Sequence, residues 1–236
     1  MKTIGLIGGM SWESTALYYR LLNLAIARRL GGFHSARLIL FSVDFHEIEL
    51  FQQRGEWDQA ATHLHHAAQL LERAGADFLV LCTNTMHKVA DAIIDGLNIP
   101  LLHIADATAD VIKPAGVRMV GLLGTRFTME QTFYRGRLET RGLSVVVPPE
   151  EDRQLVNRVI YDELCLGNVR DESRQQYRRI IADMVRSGAE GIILGCTEIG
   201  MLVSGDDSTV PTFDTTQIHA EAAAEYALRK ERFVSQ

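Results

Sequence analysis

The chain has 236 residues, 47% apolar and 23% charged, with a formal net charge of -6. That composition belongs to a globular protein with room for one large or two small domains, and it excludes a disordered or fibrous chain. The acidic balance argues against nucleic acid or an anionic membrane as partner, and no apolar stretch approaches the ~18 residues of a membrane-spanning helix.

In chain order, Thr3 to Gly8 reads as a first strand. Gly8-Gly9-Met10-Ser11 reads as a tight turn feeding a helix from Ser11 or Trp12, with Leu17, Leu21, Leu22, Ala25 and Ile26 at helical spacing and Gly31-Gly32 closing it. The opening apolar run is too short for a signal peptide. Arg37 to Val43 is the second strand. The stretch from Asp44 to Asp58 shows no clean period and reads as a loop, a usual place for substrate contacts in α/β proteins, which makes Gln52, Gln53 and Arg54 candidates. Glu56 to Ala74 is a helix carrying His63, His65 and His66. The His63 and His66 spacing could ligate a metal, but no carboxylate or cysteine completes the set, so a solvated helix face and no metal are expected. A strand then ends at Cys82, followed by a helix over Thr85 to Leu97, a strand ending at Ile104 and a helix over Ala105 to Lys113. His103 and Asp106 could form an acid/base pair, or a buried histidine beside a helix-starting aspartate. Beyond Gly116 come a strand at Val120 to Gly124, helices over Arg153 to Leu166 and Glu172 to Ser187, the strand ending at Cys196, a strand near Val210 to Phe213 and a long helix over Thr215 to Phe233.

Two stretches carry the chemistry. Phe78 to His87 (FLVLCTNTMH) and Gly191 to Gly200 (GIILGCTEIG) are each a short apolar run ending in cysteine, followed at once by polar, helix-starting residues. Such runs read as buried parallel strands, and Thr or Asn directly after them as helix caps. Both thiols should therefore face helix N-termini, where the partial positive charge lowers a thiol pKa and unpaired N–H groups attract carboxylates. Cys82, Cys165 and Cys196 are odd in number and widely spaced, which is no disulfide framework and fits a reducing cytoplasm.

The pattern also repeats. Val120-Gly121-Leu122-Leu123-Gly124 echoes Ile4-Gly5-Leu6-Ile7-Gly8 at an offset of 116, Tyr134 falls where Tyr18 falls, and the cysteines are 114 apart. This predicts an α/β fold of two pseudo-symmetric, doubly wound parallel-sheet halves with the active site in the cleft between them. The first half comprises 1–115 plus 214–236, with a returning C-terminal helix, and the second comprises 116–213. Cys82 and Cys196 would then face each other across the cleft.

With Gly8-Gly9-Met10, Cys82-Thr83-Asn84-Thr85, Gly195-Cys196-Thr197-Glu198 and the repeat linking them, nearly the whole chain resembles the cofactor-independent aspartate/glutamate racemase family. The resemblance implies a cytoplasmic isomerase without pyridoxal phosphate. One cysteine thiolate removes the α-proton of an amino acid and the opposite thiol reprotonates the other face. It implies Cys82 and Cys196 as catalytic residues. Gly9, Met10, Gln52, Thr83, Asn84, Thr85, Thr125, Cys165, Thr197 and Glu198 become substrate-binding candidates, a small amino acid or dicarboxylate the ligand, and a homodimer the candidate assembly. Aspartate or glutamate is the first expectation for substrate. However, Ser11-Trp12 replaces the family's frequent Gly-Pro, Cys165 stands where a lysine is common, and Gln52 lies near a frequent arginine, which keeps broad specificity open. Hydantoin racemisation, cis/trans isomerisation of a dicarboxylic acid and non-catalytic binding of a small acid are the alternatives.

Overall fold

The computed structural model describes residues 1–229, so the part of the last helix expected over 230–233 lies outside the described residues. The first half runs β1 (Ile4–Gly8), α1 (Trp12–Leu30), β2 (Leu38–Ser42), α2 (Phe45–Arg54), α3 (Trp57–Arg73), β3 (Phe78–Leu81), a 3-10 turn (Thr85–Val89) leading into α4 (Ala90–Ile94), β4 (Leu101–Leu102) and α5 (Ile104–Ile112). The second runs β5 (Met119–Gly124), α6 (Arg126–Glu130), α7 (Thr132–Thr140), β6 (Ser144–Val146), α8 (Glu150–Asp162), a 3-10 turn (Leu164–Leu166), α9 (Asp171–Arg186), β7 (Gly191–Gly195), α10 (Ile199–Leu202), β8 (Thr212–Asp214) and α11 (Thr215–Leu228).

Each half holds a four-stranded parallel sheet, ordered β2-β1-β3-β4 and β6-β5-β7-β8, so the repeat in the sequence is a repeat of topology. The central strands β1, β3 and β7 are buried at every residue, because helices cover both faces of a parallel sheet and leave its middle without water. Tyr18 and Tyr134 are both fully buried, one in each half. Helix α11 ties the halves together. Its Ala220, Ala223, Ala224 and Ala227 pack on the face of α1 carrying Tyr18, Leu22 and Ile26, while Thr215 at its start donates to the Leu194 carbonyl of β7.

Several local expectations need correction. The stretch after β2 is not a loop, because Phe45–Arg54 is helical, capped by Asp44, whose side chain accepts from the His46 N–H at 3.0 Å. Only Ile48 and Gln52 are buried on that helix, a stripe too thin to show a period. The helix expected over Thr85 to Leu97 is a 3-10 turn followed by one short α-turn. The strand expected to reach Ile104 stops at Leu102, since His103 already caps α5 by accepting from the Ala105 N–H. Helix α8 ends at Asp162, so Cys165 lies in a separate 3-10 turn. The three-residue edge strand β6 carried no signal of its own.

Candidate active site

Between the halves lies a cavity of about 20 Å³, room for about one water. Its first wall begins at the β1–α1 turn. Gly9 has φ +93°, and a Cβ there would fall 2.2 Å from the Val43 carbonyl, so only glycine fits. The Gly9 N–H donates to Thr15 Oγ1 at 2.8 Å, which sets the turn, and Met10 then lines the cavity while Gly9 itself does not. Ser11 caps α1 and donates its hydroxyl across the cleft to Glu198 Oε1 at 2.7 Å.

The turn after β3 places Thr83, Asn84 and Thr85 on the cavity wall. Thr85 Oγ1 lies 2.9 Å from Thr125 Oγ1, joining the halves, and Thr125 also caps α6. The Asn84 amide donates to Thr215 Oγ1 at 3.0 Å, and because Thr215 spends its own proton on Leu194, the orientation of that amide is fixed. The Asn84 Oδ1 atom is left buried without a hydrogen-bond partner. A buried acceptor of this kind costs about 1–3 kcal/mol unless something donates to it.

On the opposite wall stand Cys165, Cys196, Thr197 and Glu198. Cys196 Sγ donates to Glu198 Oε2 at 3.0 Å and the Thr197 hydroxyl donates to the same oxygen at 2.7 Å. Glu198 is 2% exposed, and among the described residues no lysine, arginine or histidine lines the cavity. A carboxylate buried without a cation is expensive to keep and points to a chemical task.

Cys82 is placed differently from Cys196. It follows the end of β3 as Cys196 follows β7, but it is 0% exposed, packs in the first-half core with Leu6, Tyr18 and Ala220, and does not line the cavity. Its Sγ lies 3.9 Å from the Val80 carbonyl. The expected lowering of thiol pKa by helix N-termini is also corrected. The helical pieces after the two cysteines are a five-residue 3-10 turn and a four-residue helix, too short for a strong dipole. Burial pushes the Cys82 thiol up. Burial, and after it the Glu198 charge, pushes the Cys196 thiol well above its ordinary value.

The cavity thus gathers Met10, Gln52, Thr83, Asn84, Thr85, Thr125, Cys165, Cys196, Thr197 and Glu198 from the expected set, and leaves Gly9 and Cys82 off its surface. Sequence reasoning missed Phe45, Ile160 and Tyr161 on its wall, which sit in helices with nothing to distinguish them from packing residues. It read Ser11 as a helix start and, with Trp12, as a departure from the family's Gly-Pro, but not as a partner of Glu198. His103 and Asp106 do not pair: the Asp106 carboxylate takes two bonds from Arg137, at 2.9 and 2.7 Å, while His103 stacks edge-on against His87 with centroids 4.4 Å apart. His63 lies 3.7 Å from Glu47, His65 bonds the Ile93 carbonyl, and among the described residues no three metal-ligating side chains converge. No helix among the described residues is long and apolar enough to cross a membrane.

Comparison with known proteins fits this geometry. Residues 7–223 match the family described as Asp/Glu/Hydantoin racemase. An Asp/Glu racemase-type structure from Yersinia pestis is 59% identical, aligning over 97% of this chain and 100% of its own with a TM-score of 0.90. An aspartate racemase homologue from Pyrococcus horikoshii OT3 is 39% identical over 97% of this chain and 100% of its own, with a TM-score of 0.83. The broad specificity amino-acid racemase RacX of Bacillus subtilis (strain 168) is 25% identical over 70% of this chain and 71% of its own. With its paired four-stranded sheets and a family match spanning most of its length, the chain belongs to the Asp/Glu/Hydantoin racemase family, a family of isomerases.

Proposed function

We propose that this protein racemises free amino acids at the α-carbon by transferring protons between Cys82 and Cys196, without pyridoxal phosphate. The observation that carries the reading is Cys196 held 3.0 Å from the buried Glu198 carboxylate, on one wall of a cavity whose other wall is the turn that begins with Cys82. Inverting a stereocentre needs an acid and a base on opposite faces of the carbon. Cys196 passes its S–H proton to Glu198, and the resulting thiolate removes the α-proton. The thiol of Cys82 then delivers a proton to the other face, and the reverse direction exchanges the roles. The α-carbon is a weak acid, so the developing enediolate depends on fixed donors around it more than on base strength. Thr83, Thr85 and Thr125, which line the cavity, are the candidates to supply such donors. The unpartnered Asn84 Oδ1 suits the substrate ammonium.

A volume near that of one water cannot hold an amino acid, so the substrate binds with the halves parted, and it is this wider parting that brings Cys82 out of the first-half core to the cavity surface. The lining also bears on the choice of substrate. With Glu198 present and no cation lining the cavity among the described residues, a second carboxylate on the substrate would meet repulsion, so neutral side chains are preferred over aspartate and glutamate. The similarity to a broad specificity amino-acid racemase supports this direction.

The test is a chiral assay of a panel of L-amino acids in heavy water, without added pyridoxal phosphate. The expected result is deuterium in the newly formed D-enantiomer while the remaining L-substrate stays protonated at early times. Replacing Cys82 or Cys196 by serine should stop racemisation, because an alcohol is a far weaker acid than a thiol. Deuterium entering both enantiomers equally from the first turnover, or activity surviving in either serine variant, would refute the two-thiol reading.

A further inference from the structure

Beside the 20 Å³ cavity lies an open depression of about 740 Å³, and among the described residues only Gln52 and Tyr161 line both. Gln52 sits on α2 of the first half and Tyr161 on α8 of the second, so the wall between the two spaces is a contact across the cleft. The Tyr161 hydroxyl donates to Gln52 Oε1 at 3.0 Å. On its other side the Gln52 amide donates to Met86 Sδ at 3.1 Å, a weak acceptor, so the hydrogen bond to Tyr161 is its one strong tether. Next to this pair the ring of Trp57 meets Phe127 edge-on at 5.0 Å, also from opposite halves. The depression carries Arg54, Arg126 and Arg158 with Glu49 and Asp162, and Arg126 also pairs with Glu130 at 3.7 Å, so its arginines offer a carboxylate-bearing ligand cationic partners at the mouth.

We propose that the Gln52–Tyr161 hydrogen bond is the gate through which a free amino acid passes from the arginine-bearing depression into the cavity. The proposal rests on the reading of that cavity as the substrate site. The geometry favours this route because the partition there is two side chains joined by one hydrogen bond and borders both spaces, whereas the other side-chain bonds across the cleft, Ser11 to Glu198 and Thr85 to Thr125, do not border the depression. Opening at this point needs one bond broken and one aromatic contact slid, and it exposes Cys196 first. This local opening is smaller than the parting of the halves around bound substrate, so in the free protein it leaves Cys82, packed in the first-half core, covered.

The experiment measures access directly, as the rate of iodoacetamide alkylation of each cysteine in the full-length chain, followed by peptide mass spectrometry. Tyr161→Phe and Gln52→Leu remove the same bond from opposite ends. Each should speed alkylation of Cys196 about fivefold, the equivalent of one net hydrogen bond of ~1 kcal/mol. Cys165, on the same cavity, should follow Cys196. The double variant should gain no more than either single variant, since only one bond is there to lose. An unchanged Cys196 rate in both variants would overturn the gate. So would an acceleration confined to Tyr161→Phe, which would mark an effect on thiol reactivity, or a parallel rise at Cys82, which would mark general loosening of the fold. Alkylation needs no turnover, so it can fail while the chiral assay succeeds, and the reverse.

Discussion

Replacing Glu198 by glutamine separates a chemical role from a structural one. The carboxylate accepts from Cys196 at 3.0 Å, Thr197 at 2.7 Å and Ser11 at 2.7 Å, all neutral donors. Glutamine keeps the shape and one acceptor oxygen. The hydroxyl beside the new NH2 can rotate to accept from it while the other goes on donating to the remaining oxygen, and the charge that had been buried beside neutral donors is gone. Loss of a charge-assisted bond, about 1.5–3 kcal/mol, is therefore offset by relief of desolvation. The net change in stability should stay within about 1 kcal/mol, a shift in Tm of no more than about 4 °C for a chain of this size. Catalysis loses its proton acceptor for Cys196, worth a factor of about 10² to 10⁴. Because two enantiomers have equal free energy, kcat/KM must fall equally from the L and D sides, and a circular-dichroism or chiral-column assay run from both sides checks this. The Cys196 thiol should at the same time titrate lower, because the charge that helps hold its proton is gone, so its alkylation should be faster at a given pH. Unchanged kcat/KM would refute the role given to Glu198. A Tm drop of more than about 10 °C in step with the lost activity would make it a structural residue instead.

Cys165 lies in the 3-10 turn beside the cavity and its thiol is pushed up by burial and then by the Glu198 charge, so a cation placed there would face the same carboxylate. Cys165→Lys should raise kcat/KM for aspartate relative to a neutral amino acid about tenfold, ~1.4 kcal/mol, and an unchanged ranking in the chiral panel would put this position outside the site. His219 accepts from the Tyr18 hydroxyl at 2.9 Å and donates to the Leu102 carbonyl at 2.8 Å, and burial holds it neutral down to about pH 4 against an ordinary 6.5. The unfolded chain takes up that proton first as pH falls. Stability is therefore full above about 6.5 and declines by roughly 3 kcal/mol toward pH 4. Urea unfolding of His219→Gln between pH 7 and 4.5 should show a slope shallower by one proton, and an identical slope would refute the assignment.

The sequence by itself determined every strand but β6, most of the helices, the duplication and both cysteine motifs. The reason is local: a strand buried on both faces must be a short apolar run, and the caps, glycines and polar residues that end it are read at once from its neighbours. Gly9 was legible as a turn for the same reason, and the Cys82 and Cys196 motifs could be matched because each is a contiguous run of residues. Helix α2 was not legible, since only Ile48 and Gln52 face inward and the remaining positions look like loop. What only the tertiary structure decided is everything that crosses the cleft. Ser11 with Glu198, Asn84 with Thr215, Thr85 with Thr125 and Gln52 with Tyr161 are separated by 187, 131, 40 and 109 residues, and no local pattern announces such pairs. The same holds for the unlike burial of the two thiols. Equivalent strand ends give Cys82 and Cys196 the same sequence signature, but α11 packs its alanines over the first sheet only, so Cys82 sits in a core while Cys196 faces a carboxylate and the cavity.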